Sequence, residues 1–311
     1  MTGSGVTALF ENTVDGLRQG SEVAESLEAL ITGLDRSRSS HSAKDWRARV
    51  IPALRTHSLY PLLLEDPFVR HSAVRPRGYA GDAELLDFIY GSVNIRPRLD
   101  NATPLGRKMY RFTCSTSITQ AVRNRLVLSA AEIDRLMTSG SRPEIMCVAC
   151  GHLREAGMTH CVRDGQFGRF LAVDQDEISL DLVREEWLSA GVEPVQMSAW
   201  QLIRADAAQM QSFDFIYALG LYDYLSNEAG ARLLRRMVEL LKPGGKAWIA
   251  NFVPGLAGSG FMEAAMDWWL IYRAPSQLED LVAGVDKSMI ASHRLFLEPE
   301  NNVVFLEIIR A

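Results

Sequence analysis

The chain has 311 residues, enough for one large domain or two ordinary ones, and its 47% hydrophobic and 23% charged content is an ordinary balance for a globular protein. Its formal net charge of −5 argues against a polyanionic partner, since a nucleic-acid surface would leave a basic excess. No apolar run approaches the roughly 20 residues needed to cross a bilayer, and MTGSGVTALFENTVDG lacks a basic region followed by an apolar core. No membrane span and a cytoplasmic location are therefore expected.

Residues 1–70 read as helices. In Ser21–Leu34 the apolar residues Val23, Leu27, Leu30 and Ile31 recur at helical spacing, with Ser21 as the expected N-cap. The polar segment Asp35–Ser42 leads to a second apolar stretch, Trp46–Arg55, where Pro52 should kink the helix. Nothing here names a chemistry; the region suits a lid or a homodimer surface. Val74–Asp82 is more pointed. Arg75, Arg77 and Tyr79 stand with Gly78 and Gly81 in a loop, ahead of the amphipathic run Ala83–Tyr90. Arginine offers bidentate donors to a carboxylate, so these residues could recognise an anionic or hydroxylated substrate. A structural turn, with Asp82 capping the helix and an arginine paired to it, explains the same residues, and both can hold at once. Arg107 to Ser139 has no glycine or proline and reads as one long helix or two in series, ended by Gly140.

Ser141 to Glu177 organises the rest. Ile145–Ala149 is a compact apolar run after a proline, as expected of a buried strand. Cys150-Gly151-His152 breaks it, Leu153 onward can start a helix, and a second strand, Phe170–Val173, ends in Asp174. Strand, turn, helix, strand and carboxylate form the start of a nucleotide-binding unit, with the acid placed for ribose hydroxyls. The three glycines that admit a pyrophosphate are not all present, because Ala149 and Arg154 flank Gly151 in the corresponding positions. A smaller, cationic ligand without phosphate fits better, and S-adenosylmethionine is one: the turn can cradle its methionine portion and Asp174 its ribose. A packed turn without ligand explains this segment equally well, so the remaining strands must decide. Cys147 and Cys150 form C-x-x-C, but residues three apart on a strand point to opposite faces, and no second pair completes a tetrahedral set. Buried free thiols, and no metal, are expected.

A helix over Glu177–Ala190 closes on Gly191, and Val192–Met197 forms strand three, followed by Ser198, Ala199 and Trp200. Trp200 is expected to pack in the core more readily than to stack on an adenine. Phe213–Leu219 is strand four and runs into Gly220-Leu221-Tyr222-Asp223-Tyr224. A helix over Asn227–Leu241 stops at Lys242-Pro243-Gly244-Gly245, and Lys246–Phe252 is strand five. Ser288–Leu297 and Val303–Ile309 flank a turn-rich loop and finish the chain as a hairpin.

FDFIY opening strand four, a helix ending in LLKPGG and an apolar strand five resemble the class I S-adenosylmethionine-dependent methyltransferases, with VACG and VDQD at matching separations. RGYAGD at 77–82, GLYDYL at 220–225, and NFVP followed by FMEAAMDWWLIYR further resemble the bacterial methyltransferases of extracellular-factor biosynthesis, whose proposed product is a 3-hydroxypalmitic acid methyl ester. The resemblance implies an α/β fold, a Rossmann-like seven-stranded sheet with its seventh strand inserted antiparallel, behind an N-terminal helical accessory region. The expected boundary is 140/141. The sequence departs from the family where an acid is common in strand one, a place held by Cys147, and in its thinned glycine turn.

Residues at the ends of the first four strands are the candidates for S-adenosylmethionine: Ala149, Gly151, Asp174, Gln175, Ser198, Ala199, Leu219 and Tyr222, with Glu155 for the ammonium. A sulfonium methyl is already activated, so alignment for in-line displacement is the main task. Tyr79, Arg77 and Asp223 are the catalytic candidates, with His152 a further base for a protonated nucleophile. Arg75, Trp269, Tyr272 and Arg273 are the substrate-binding candidates, the last three at the end of a helix expected over Phe261–Arg273. A small-molecule acceptor through oxygen, nitrogen or carbon is expected. A non-catalytic binder of the same cofactor stays open. Aminopropyl transfer is disfavoured by a single Asp223 where paired acids are needed, and nicotinamide chemistry by the missing glycines.

Overall fold

The computed structural model describes residues 3–20, 22–137, 142–205 and 212–311. Ser21 as N-cap, Gly140 as helix end and the 140/141 boundary lie outside them. The chain divides into two compact units, Met1–Val122 with Gly255–Trp269, and Arg123–Pro254 with Leu270–Ala311.

The second unit carries a seven-stranded sheet of order β3-β2-β1-β4-β5-β7-β6. Its strands are β1 (Glu144–Val148), β2 (Arg169–Asp174), β3 (Val192–Gln196), β4 (Phe213–Ala218), β5 (Leu241–Phe252), β6 (Ile290–Leu297) and β7 (Val303–Arg310). The first five run parallel, and β7 enters antiparallel between β5 and β6. Ile145, Met146, Cys147 and Val148 are all buried, as strands covered on both faces require. From β1 the chain goes to β2 and β3 on one side, whereas β4 opens the other side. This reversal leaves a crevice at the carboxyl ends of β1 and β4. The closing hairpin turns around buried Glu298, which accepts from the amides of Glu300 and Asn302, both at 2.7 Å.

Strand five begins earlier than its sequence suggests. Leu241 pairs with Phe213 and Lys246 with Phe215, so residues 242–245 bulge out of the strand instead of preceding it. Gly244 sits at φ +75°, and a side chain on Gly245 would stand 2.8 Å from the carbonyl oxygens of Lys242 and Phe213. Both glycines of the LKPGG run are thus required by backbone geometry. Beyond the bulge, Lys246 pairs with Glu132 at 2.5 Å and Glu307 at 3.2 Å. Against the opposing effect of burial, Arg294, Trp248 and Lys246 hold the Glu307 carboxyl down at about 2.

The first unit is helical among its described residues. It contains α1 (Gly3–Gln19), α2 (Val23–Ser40), α3 (Pro67–Val74), α4 (Ala83–Tyr90) and α5 (Pro104–Thr113). The next helix, α6 (Ser117–Leu136), crosses the division between the units, and α7 (Ser259–Ala264) returns to the first. Arg107–Leu136 is thus two helices in series. The expected kink at Pro52 is a π-helical turn, Trp46–Val50, directly before a helix at Ile51–Thr56. The helix expected over Phe261–Arg273 is corrected: it ends at Ala264, and residues 267–273 are irregular. No glycine or proline marks that stop. Asp267 makes it, at φ 52°, where its carboxylate meets Arg55 at 3.0 Å, Arg75 at 2.5 Å and the Trp269 indole N–H at 2.8 Å.

Asp66 caps α3 by accepting from Phe68 N at 2.9 Å, and its other oxygen accepts from Thr113 Oγ1 at 2.7 Å. It is 1% exposed, and burial pushes its carboxyl up to about 7. A folded value above the unfolded 3.8 means that the folded chain holds this proton more tightly. That contribution is fully present below the unfolded value and is lost as pH rises through about 7. Urea unfolding at about pH 5 and about pH 8 should therefore show the wild type losing stability relative to Asp66→Asn as pH rises. A stability difference that stays constant across that range would rule out the buried proton.

Candidate functional site

The end of β1 is a left-handed turn. Ala149, Gly151 and Leu153 take φ of 56°, 53° and 49°. An alanine and a leucine thus hold conformations that glycine adopts most easily, a strain found mainly where a site requires it. Asp174, at the end of β2, closes this turn. Its Oδ2 accepts from Gly151 N at 2.8 Å and its Oδ1 from Asp176 N at 2.9 Å. It is 8% exposed, and burial raises its pKa against those two amide bonds. Each carboxylate oxygen keeps a second lone pair for another donor. Gln175, next in sequence, is exposed.

Glu155 lies behind the turn. Its Oε1 accepts from the Tyr217 hydroxyl at 2.6 Å and from Cys147 Sγ at 3.7 Å. Burial raises the pKa of all three groups. Cys147 thus occupies the expected place of an acid in β1 and points at the acid supplied by Glu155. Tyr217 escaped the sequence reading; its signal is a phenol in an otherwise apolar strand, which needs a buried acceptor. His152 is buried in the turn. All four cysteines are free thiols, and no metal-binding cluster occurs among the described residues.

At the end of β3, Ser198 caps the short helix Ala199–Arg204 in a capping box with Gln201. Ala199 is half-buried beside it. The core position expected for Trp200 is corrected: the ring is 46% exposed, with the Arg232 guanidinium 5.7 Å from its centre. It follows a capped helix start and so faces outward.

The loop after β4 departs most from expectation. Tyr222, a cofactor candidate, is fully buried, and its hydroxyl donates to Gly230 O at 3.2 Å. Asp223 is a tie, not an open base. Its Oδ1 accepts from Phe252 N at 2.8 Å, its Oδ2 lies 3.5 Å from Arg125 Nη1, and its backbone oxygen accepts from Ile271 N at 2.7 Å. Burial pushes it up to about 6, with Arg125 opposing. Arg125 also donates to Leu219 O at 2.7 Å, a role that nothing in its helical sequence marks. Arg273 is also corrected. It is 2% exposed, and it donates to Tyr222 O at 2.7 Å, Asn251 Oδ1 at 2.6 Å, Leu225 O at 2.6 Å and Asn227 Oδ1 at 3.0 Å. Four of its five N–H donors are thus spent on the protein, which leaves no bidentate fork for a substrate carboxylate. Tyr272 beside it is half-buried.

In the first unit, Arg75 ends α3 in the left-handed region and turns to Asp267, whose carboxylate and carbonyl both receive its Nη2 at 2.5 Å. Arg75, a substrate-binding candidate, thus spends its Nη2 on a helix-end contact. Trp269 donates to Asp267 Oδ1 at 2.8 Å and has Arg47 over its ring at 4.6 Å. Arg77 and Tyr79 are half-buried in the loop between α3 and α4, around Gly78 at φ +82°. Asp82 closes that loop. It caps α4 through Leu85 N at 2.8 Å and accepts from His71 Nε2 at 2.8 Å, while Arg98 reaches His71 Nδ1 at 2.7 Å.

Residues 145–245 match the family model of a methyltransferase domain. No curated protein matches the sequence. Among solved structures, one described as a possible exported protein from Bordetella parapertussis is 17% identical, covers 99% of both chains and superposes with a TM-score of 0.56. At that identity the likeness shows the fold alone, an α/β fold with a Rossmann-like sheet. A magnesium protoporphyrin IX methyltransferase from Synechocystis with bound S-adenosylhomocysteine is 10% identical at a TM-score of 0.47, over 72% of this chain and 96% of that one. An N-methyltransferase from Bradyrhizobium japonicum is 11% identical at 0.40, over 60% and 95%.

Replacing Arg273 tests its assignment as scaffold. Arg273→Met should leave two carbonyls and two side-chain oxygens without their donor and lower stability by roughly 3 kcal/mol or more, read by chemical denaturation. A variant of wild-type stability that fails only in acceptor binding would return Arg273 to the substrate.

Proposed function

We propose that the chain transfers a methyl group from S-adenosylmethionine to a small-molecule acceptor by in-line displacement. The observation that carries this reading is the pairing of Asp174 with the left-handed turn at Ala149–Leu153. It is a carboxylate at the end of β2 with lone pairs to spare, tied to a backbone turn that lacks the glycines of a pyrophosphate site. The match of residues 145–245 to a methyltransferase domain supports it.

Asp174 would hold the ribose hydroxyls, with Gln175 beside it. The backbone of Ala149 and Gly151 would face the methionine portion, and Glu155 would supply negative charge toward its ammonium. Ser198, Ala199 and the exposed Trp200 stand at the end of β3 for the adenine, and the backbone at Leu219 completes the floor. The cofactor supplies an electrophilic methyl on a sulfonium sulfur, so the chain's own task is to align the acceptor and keep water out. Asp223 is committed to Phe252 and Arg125, which favours an acceptor that needs no base. A carboxylate is such a nucleophile. Arg77 and Tyr79 are the residues we assign to it, as hydrogen-bond donors in the loop that Asp82 and His71 close. Ester formation on an acid is also what the narrower resemblance, through RGYAGD and GLYDYL, implies.

Asp174→Ala should weaken S-adenosylmethionine binding about ten-fold or more, since a hydrogen bond to a charged group contributes roughly 1.5–3 kcal/mol. Unchanged affinity in calorimetry would remove the ribose assignment. With an acceptor identified by a labelled-methyl screen over acids, amines and hydroxylated molecules, Arg77→Ala should raise its KM about ten-fold and spare the cofactor Kd. The reverse pattern would move that loop to the cofactor.

A further inference from the structure

Two buried acids share the turn after β1. Asp174 closes it from the end of β2, and Glu155 stands in the short helical turn Arg154–Met158. Burial, then the charges of Asp174 and Glu155, raise the pKa of Cys150, so that thiol stands within reach of both acids. No basic side chain is among the groups that set the charge state of either acid. An enclosed carboxylate without a counter-ion is costly. Asp174 offsets that cost with two backbone amides. Glu155 has neutral side-chain donors and its own amide.

The sheet supplies those donors. Its register sets Cys147 of β1 opposite Tyr217 of β4, and residues so paired project to the same face. The Tyr217 hydroxyl donates to Glu155 Oε1 at 2.6 Å, and Cys147 Sγ lies 3.7 Å from the same oxygen. Burial raises the pKa of both groups, so each stays a neutral donor. A carboxylate has about four lone-pair sites, so these two donors and its own amide leave room for one more. Tyr217 is 1% exposed, and its ring stacks on Phe215 with 5.1 Å between centres. Phenylalanine would keep that stacking, so packing does not call for the hydroxyl. Nor can a phenol cancel the charge of Glu155; it fixes the direction of the carboxylate.

We propose that Tyr217 is a positioning residue whose hydroxyl holds the Glu155 carboxylate ready for the α-ammonium of S-adenosylmethionine. This rests on the methyl-transfer reading, which turns Glu155 toward that ammonium, and adds the β4 residue that aims the acid. Cys147 is the weaker second donor. Together the three groups serve the amino-acid end of the ligand alone.

Calorimetry of the full chain with S-adenosylhomocysteine and with 5′-methylthioadenosine tests this. The second ligand keeps the adenine and ribose but carries a methyl group in place of the amino-acid arm. Tyr217→Phe should weaken S-adenosylhomocysteine about ten-fold and spare methylthioadenosine, whereas a general disturbance of β4 would weaken both. Glu155→Gln should show the same selective loss, and Tyr217→Phe added to it should cost nothing further, because the hydroxyl acts through the acid. The hydroxyl also opposes the rise in the Glu155 pKa. The affinity of Tyr217→Phe for S-adenosylhomocysteine should therefore fall more steeply than that of the wild type from about pH 8 to about pH 6. Equal loss of both ligands, loss of neither, additive losses in the double variant, or a wild type that binds both ligands equally would overturn the proposal and leave the cofactor assignment standing. A wild type that binds neither ligand would overturn the methyl-transfer reading, and the proposal with it.

Discussion

A single carboxylate ties the sheet to its ligand end. Asp174 accepts the amide of Gly151 with one oxygen and that of Asp176 with the other. Those bonds join the end of β2 to the turn after β1 and hold Ala149 and Leu153 in left-handed conformations that neither residue favours alone. Without that acceptor, the turn would relax toward ordinary backbone and the crevice at the strand reversal would lose its shape.

Burial then decides which polar residues serve the scaffold. Arg273 and Asp223 lie at the ligand end of the sheet, where chemistry is expected, yet both are almost fully enclosed. An enclosed guanidinium must fill its donors and an enclosed carboxylate its acceptors. Carbonyls of the β4 loop, Asn251, Asn227 and the Phe252 amide supply those partners. Asp174 differs because backbone amides, not a guanidinium, face it. Arg75, only half-buried, closes a helix end on Asp267. Arg77 and Tyr79 keep partial exposure in a loop whose ends are pinned by Asp82.

Most strands were legible because period and punctuation agree. Ile145–Ala149, Phe170–Val173 and Phe213–Leu219 are apolar runs bounded by breaks, and the sheet realises them almost residue for residue. The bulge in β5 was not legible, because Pro243-Gly244-Gly245 reads as a turn before a strand and only pairing with Phe213 places Leu241 inside it. The end of the helix at Ala264 was hidden too, since the acid that stops it draws its partners from Arg55 and Arg75, far back in sequence.

By itself the sequence determined the sheet class, the carboxylate after strand two and the unsuitability of the turn for a pyrophosphate. These are local properties, set by periodicity, by one acid and by counted glycines. Only the tertiary structure decided that Tyr222, Asp223 and Arg273 are framework, and that Tyr217 and Cys147 serve Glu155. Burial and hydrogen-bond satisfaction depend on neighbours brought together by folding, and no short window of residues contains them.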